Sequence, residues 1–133
     1  MTDPEIIELL QSAKTIAVVG LSDKPWRPSF GVSDYMRKQG YAIIPVNPNV
    51  AETLGASAYT RLEDVPEKID IVNIFRRSQF AGPIVDAAIG LGVRCIWMQE
   101  GVRDDDAAAR ARKAGIGVVM DRCILKDHSR LLR

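Results

Sequence analysis

With 133 residues, 47% of them hydrophobic and 26% charged, the chain is long enough for one compact domain spanning residues 1–133 and too short for two. Its 18 Lys and Arg stand against 17 Asp and Glu, a formal net charge of +1, which leaves no long-range field to draw it onto nucleic acid or an acidic membrane. Cys95 and Cys123 have neither CxxC nor zinc spacing, His128 is the single histidine, and no apolar run approaches the ~18 residues of a membrane helix, so a disulfide scaffold, a His-rich metal site and a membrane span are excluded and a cytoplasmic protein is expected.

Thr2 or Asp3 caps a first helix, with Pro4 in its first turn and Ile6, Ile7, Leu9 and Leu10 as its apolar stripe. Thr15 to Val19 is short, β-branched and closed by Gly20, which predicts a buried parallel strand. After a loop from Leu21 to Pro28, Ser29 is placed to cap a helix carrying Phe30, Val32, Tyr35 and Met36, with Gly40 where a left-handed C-terminal residue belongs. Tyr41 to Val46 predicts the second strand, halted at Asn47-Pro48.

Turn residues Gly55 and Pro66 dominate Ala51 to Lys68, leaving room for a short strand near Ala58 and a short helix from Leu62 to Asp64. Ile69 to Phe75 is a strand, and Gly82-Pro83 opens a helix that runs to Leu91 and is closed by Gly92. Arg94 to Met98 is the next strand, Asp104 to Ala114 a helix, Gly117 to Met120 the last strand and Ile124 to Leu132 a helical tail. Strand-helix-strand units in this order predict an α/β fold, a Rossmann-like, doubly wound and mostly parallel sheet of five to six strands with helices on both faces.

Such sheets bind ligands at the carboxyl ends of their strands, at the point where the strand order reverses, so the residues after each strand are the informative ones. Gly20 permits a sharp turn and a close ligand, Ser22 and Ser29 offer hydroxyls, Lys24 and Arg27 supply charge and the following helix offers free N–H groups, a combination suited to phosphate. An ordinary turn with solvated cations explains the same residues. GxGxxG fails at Ser22 and Pro25, Gly-Lys-Ser/Thr is absent, and Asn47-Pro48 stands where a dinucleotide site needs an acid, which disfavours NAD while leaving Asn47 free to meet an adenosine group.

Arg76 and Arg77 follow the strand expected beside the first and, with Lys24 and Arg27, suit a ligand bearing several phosphates better than they suit a solvated surface. Gln99-Glu100-Gly101 ends another strand, where Glu100 can accept from a ligand amide or hydroxyl or simply charge the loop. Asp104 to Asp106 read as helix N-terminal acids rather than a metal cluster. Trp26 and Trp97 are most simply packing residues, Trp26 being the better placed to cover a ligand.

The segments Val18 to Val32, Ile44 to Pro48, Ile74 to Ser78, Ile96 to Val102 and Val119 to Cys123 resemble the small single-domain CoA-binding proteins, in order and over nearly the whole chain. That family is similar to the CoA-binding domain of the succinyl-CoA synthetase α subunit. The resemblance implies that Gly20, Leu21 and Ser22 hold CoA phosphates, that Val46, Asn47 and Pro48 lie beside the adenosine, that Met98, Gln99 and Glu100 touch the pantetheine arm, and that Cys123 lies near the CoA thiol. The chain departs from the synthetase loop at Asp23, Lys24 and Pro25, and no phosphohistidine or ligase domain is matched, so synthetase chemistry is not implied.

The function expected is a cytosolic binder of coenzyme A or an acyl-CoA, a sensor, carrier or regulatory module without catalysis of its own and without a nucleic-acid or membrane partner. One alternative is an enzyme acting on a CoA thioester, with Cys123 as nucleophile and His128 or Glu100 as base. The other is an NAD- or nucleotide-binding regulator on the same fold.

Overall fold

The computed structural model describes residues 1–132. Helix α1 (Asp3–Ser12) starts at Thr2, whose hydroxyl accepts from the Glu5 N–H while the Glu5 carboxylate accepts from the Thr2 N–H, a reciprocal cap of about 1 kcal/mol. Ile6, Leu9 and Leu10 are buried, whereas Ile7 is only partly covered. Strand β1 (Thr15–Val19) follows, then α2 (Pro28–Lys38) and β2 (Ala42–Val46).

The expected cap at Ser29 is corrected. Pro28, with its fixed φ and missing N–H, occupies the first helical position, so α2 begins one residue before Ser29 and Arg27 flanks it without a side-chain cap. Ser29 is buried in the first turn instead, and its hydroxyl accepts from the Ser22 N–H at 3.0 Å.

The middle segment also differs from expectation. Rather than a strand near Ala58, β3 (Glu52–Thr53) and β4 (Ala56–Ser57) form a small antiparallel hairpin whose two turn residues, Leu54 and Gly55, have φ of +53° and +76°. The chain then returns to β2 for one parallel bridge, Val46 with Tyr59. Tyr59 N–H donates to the Pro45 carbonyl and the Asn47 N–H to the Tyr59 carbonyl. Pro45 has no N–H, so the ladder cannot continue back toward Ser57. A single 3-10 turn at Leu62–Asp64 leads to β5 (Ile71–Ile74).

Helix α3 (Ala81–Leu91), closed by left-handed Gly92, β6 (Cys95–Met98), α4 (Asp105–Lys113) capped by Asp104, β7 (Gly117–Val119) and α5 (Ile124–Leu131) complete the described residues. The sheet has five strands, all parallel, in the order β2-β1-β5-β6-β7. The chain steps from β1 outward to β2, then crosses to the other side of β1 for β5, so the order reverses between β1 and β5.

Alternation along the strands divides the core. Ala17, Val72, Ile74, Ile96 and Val118 meet α3 and α4, whose Ala81, Ala88, Ala107, Ala108 and Ala111 let the two helices lie close together on the sheet. Ile16, Val18, Ile71 and Trp97 face α1, α2 and α5, contributing with Leu10, Met36 and Ile124 to the second cluster. Trp97 is fully buried, as its packing role required, and its Nε1 donates to the Arg122 carbonyl at 2.9 Å. Trp26 is not a packing residue, being 75% exposed at the tip of the β1–α2 loop.

Helix α5 is fastened to its neighbours by polar contacts: Tyr35 OH lies 3.0 Å from His128 Nδ1, and Arg130 bridges Asp3 and Asp127. Among the described residues no helix is long and apolar enough to cross a membrane.

Candidate functional site

Three connected hollows occupy the carboxyl ends of the strands around the reversal point. The first, of about 370 Å³, lies between the end of β1 and the start of α2 and is lined by Gly20, Ser22, Lys24, Arg27 and Ser29. It shares Pro28 and Phe75 with a larger cleft of about 540 Å³, lined after β5 by Arg76 and Arg77, after β6 by Gln99, Glu100, Gly101 and Val102, and at the start of α5 by Cys123. Arg76 also borders the third, a mostly apolar slot of about 240 Å³ between Val19, Val46 and Pro48 on one side and Ile84 and Ala87 of α3 on the other.

The first hollow opens at an uncapped helix start. No side chain caps α2 and no acid stands in its first turn, so the partial positive charge of its N-terminus is not neutralised from within the protein. Lys24, Arg27, Arg76 and Arg77 take part in none of the ion pairs among the described residues; Lys24 Nζ instead stands 5.7 Å from the Trp26 ring centre and the Arg76 guanidinium 5.0 Å from that of Phe80. Of the other described arginines, Arg61, at the slot, and Arg37, Arg94, Arg103, Arg110, Arg122 and Arg130 each hold a carboxylate, and only Arg112 does not.

The large cleft has a buried amide floor. Gln99 is 3% exposed and its Nε2 donates at 2.8 Å to Oδ1 of Asn73, which is 1% exposed on β5. Beyond Gln99, Gly101 N–H donates to Asp121 Oδ1 at 2.7 Å, drawing the β6–α4 turn against the end of β7; Asp121 adopts φ +56° to make this contact. On the rim Glu100 pairs with Lys126 at 3.0 Å, which raises the pKa of the lysine. Cys123 is 8% exposed and opens onto this cleft, whereas Cys95 is sealed in the sheet, where burial pushes its thiol up to about 12. Among the described residues no cluster of His, Cys, Asp or Glu is arranged to hold a metal ion.

Most residues singled out from sequence therefore border one crevice, but not all. Leu21 is fully buried in the α2-side core and Met98 in the α3-side core, so their side chains support the strand ends without lining the hollows. The Asn47 amide is occupied internally, donating to the Leu21 carbonyl at 3.1 Å and accepting from the Asn49 N–H at 2.9 Å. Arg122, adjacent to Cys123, binds Asp127 through both Nε (2.9 Å) and Nη2 (2.7 Å). His128 does not line the cleft and shares its Nδ1 with Tyr35.

Sequence reasoning missed Thr60 to Glu63, brought to the slot by the Val46–Tyr59 bridge, and Phe75, which joins two of the hollows. A stretch with no period gave no signal for the former; for Phe75 the position, just past a strand, was the available one.

A CoA binding domain family model matches residues 14–129, which takes in β1 through β7, most of α5 and every strand end described above. The chain belongs to the CoA-binding domain family. It is similar to the uncharacterized protein YneT of Bacillus subtilis, 42% identical over 125 residues that make up 94% of this chain and 93% of that protein. A hypothetical protein from Pyrococcus horikoshii OT3 shares the fold at a TM-score of 0.96 and 37% identity, over 100% of this chain and 94% of that one. More distantly, 75 residues, 55% of this chain, are 31% identical to a stretch forming 11% of the acetate–CoA ligase [ADP-forming] II of Archaeoglobus fulgidus. The family and the link to a CoA synthetase that the resemblance implied are thereby met, as is the Rossmann-like α/β fold.

Proposed function

We propose that this CoA-binding domain binds CoA or an acyl-CoA along the crevice, as a module that senses, buffers or presents the thioester rather than transforming it. The observation that carries this reading is the set of four cations, Lys24, Arg27, Arg76 and Arg77, left without acidic partners around connected hollows while the other described arginines, except Arg112, are paired. Charges kept unpaired beside an uncapped helix start favour a polyanion, and the pyrophosphate and ribose phosphate of CoA supply one. The apolar slot beyond Arg76 suits the adenine ring, and the cleft floored by Gln99 suits the amides of the pantetheine arm, ending at Cys123.

Two features support binding over catalysis. His128 is held against Tyr35 and Glu100 against Lys126, so neither stands ready to take a proton from Cys123. The NAD reading is weakened by β2, which ends in Asn47 with its amide already engaged and offers no carboxylate for ribose hydroxyls.

Calorimetry with CoA, dephospho-CoA and NAD tests the proposal, CoA being expected to bind most tightly. Native mass spectrometry of protein purified without added ligand identifies any acyl group carried along. NAD binding as tight as CoA would overturn the reading.

A further inference from the structure

The β3–β4 hairpin lies outside all three hollows, yet it reaches the loop between β1 and α2. Thr53, 6% exposed, donates its hydroxyl to the Ser22 carbonyl at 3.2 Å. The two consecutive peptides from Leu21 to Asp23 carry two carbonyls and two N–H groups, each of which needs a partner. Asn47 Nδ2 donates to the Leu21 carbonyl, the Ser22 N–H donates to Ser29 Oγ, and Thr53 donates to the Ser22 carbonyl. The fourth group, the Asp23 N–H, meets no acceptor among the described residues.

A trans peptide points its N–H away from its C=O, and the chain has no cis bond among the described residues. Holding the Ser22 carbonyl on the hairpin therefore turns the Asp23 N–H away from the hairpin, and both neighbours of Asp23, Ser22 and Lys24, line the hollow. The hairpin itself is anchored. Leu54 accepts a left-handed backbone at a cost of about 1 kcal/mol, and its side chain packs against the α2-side core.

We propose that Thr53 is a positioning residue for the anion hollow, locking the Ser22–Asp23 peptide in the orientation that offers the Asp23 N–H to a ligand phosphate oxygen. Without the hydroxyl the peptide is free to rotate and turn the Ser22 carbonyl, a negative dipole end, toward the phosphate. The ligand's identity rests on the CoA reading above; the chemistry, a phosphate oxygen accepting from a main-chain N–H, requires only a polyphosphate.

The test compares the wild-type chain with Thr53→Val, which keeps the shape and loses the hydroxyl, and Thr53→Ser, which keeps the hydroxyl. CoA and inorganic pyrophosphate are titrated by calorimetry, and the Asp23 amide resonance is followed by NMR. Thr53→Val is expected to weaken both ligands by at least about tenfold, the effect of one hydrogen bond to a charged acceptor, with Thr53→Ser within about twofold of wild type. The Asp23 amide should shift on ligand addition in the wild type and in Thr53→Ser and stay unshifted in Thr53→Val. Thr53→Ala repeats the comparison should valine disturb the fold. Equal binding with an unchanged Asp23 response in the variants lacking the hydroxyl overturns the role of Thr53 and leaves the CoA reading standing. Thr53-dependent binding of pyrophosphate without binding of CoA does the reverse, and binding of neither ligand to the wild-type chain overturns both.

Discussion

The Phe75 carbonyl lies only 3.0 Å from where a Cβ on Gly20 would stand, and the Phe75 carbonyl carbon 3.2 Å away. Both atoms belong to the backbone just past β5, so they cannot swing aside, and Gly20 also has φ +91°. Gly20→Ala is expected to destabilise the fold by about 2 kcal/mol and to weaken CoA through displacement of the loop, read as a lower denaturation midpoint and a higher Kd. An alanine variant as stable as wild type would show that the β1 and β5 ends separate readily.

Arg27→Glu and Arg76→Glu should each weaken CoA by at least about tenfold while leaving the thermal midpoint of the ligand-free chain nearly unchanged, because neither arginine holds an acid of the protein. Normal affinity in either variant would remove that arginine from the site.

Cys123 opens on the cleft and Cys95 does not, which makes thiol exchange selective. With CoA disulfide, the Cys123 thiolate attacks one sulfur, forms a protein–CoA disulfide and releases the other half as CoA thiolate. Intact mass should show one CoA adduct on wild type and on Cys95→Ser and none on Cys123→Ser. Cys95, sealed and held protonated with a pKa of about 12, stays unmodified. An adduct lost only in Cys95→Ser would place the thiol end of the ligand elsewhere.

His128 sets a pH dependence. Burial lowers its pKa from 6.5, so the unfolded chain binds the proton more readily than the folded one. Its contribution is complete above about pH 6.5 and is lost as the pH falls through the lowered folded value. The wild-type thermal midpoint should therefore decline between pH 7 and 5, and His128→Gln, though less stable overall, should be flatter across that interval. Parallel curves for the two proteins would assign the decline to other groups.

Ser33, on the inner face of α2, is 1% exposed and its hydroxyl has no partner. Removing an unsatisfied buried hydroxyl recovers its desolvation cost, so Ser33→Ala should stabilise by about 1 kcal/mol in chemical denaturation. A destabilised alanine variant would reveal a partner in solution, such as a bound water.

The elements with a clear period were legible residue by residue: β1 from its β-branched run, α1 from its cap and stripe, and α3 from the Gly92 that ends it. That the sheet is parallel, with its crevice at the strand ends, followed from the alternation of strands and helices and the handedness of their crossovers. What sequence left open depended on contacts between distant residues. The hairpin at Glu52 to Ser57 exists because its turn accepts Leu54 at positive φ, a choice local propensity opposes. The engagement of the Asn47 amide and the pairing of Arg122 with Asp127 rest on side-chain directions that no spacing encodes. Ser29 was a good cap candidate that lost to Pro28, whose ring starts the helix a residue sooner.

Pro45 also shapes how this molecule behaves beside its own copies. At the outer margin of β2 it removes a donor that an incoming strand would need, and Tyr59 already occupies the adjoining carbonyl. The opposite margin, β7, offers only Gly117–Val119, and the Met1 sulfur stands 2.9 Å from where a Cβ on Gly117 would project. Neither side gives a long, flat row of free amides, so intermolecular sheet growth has no template and the fold resists fibril-like association without charged guards on its edges.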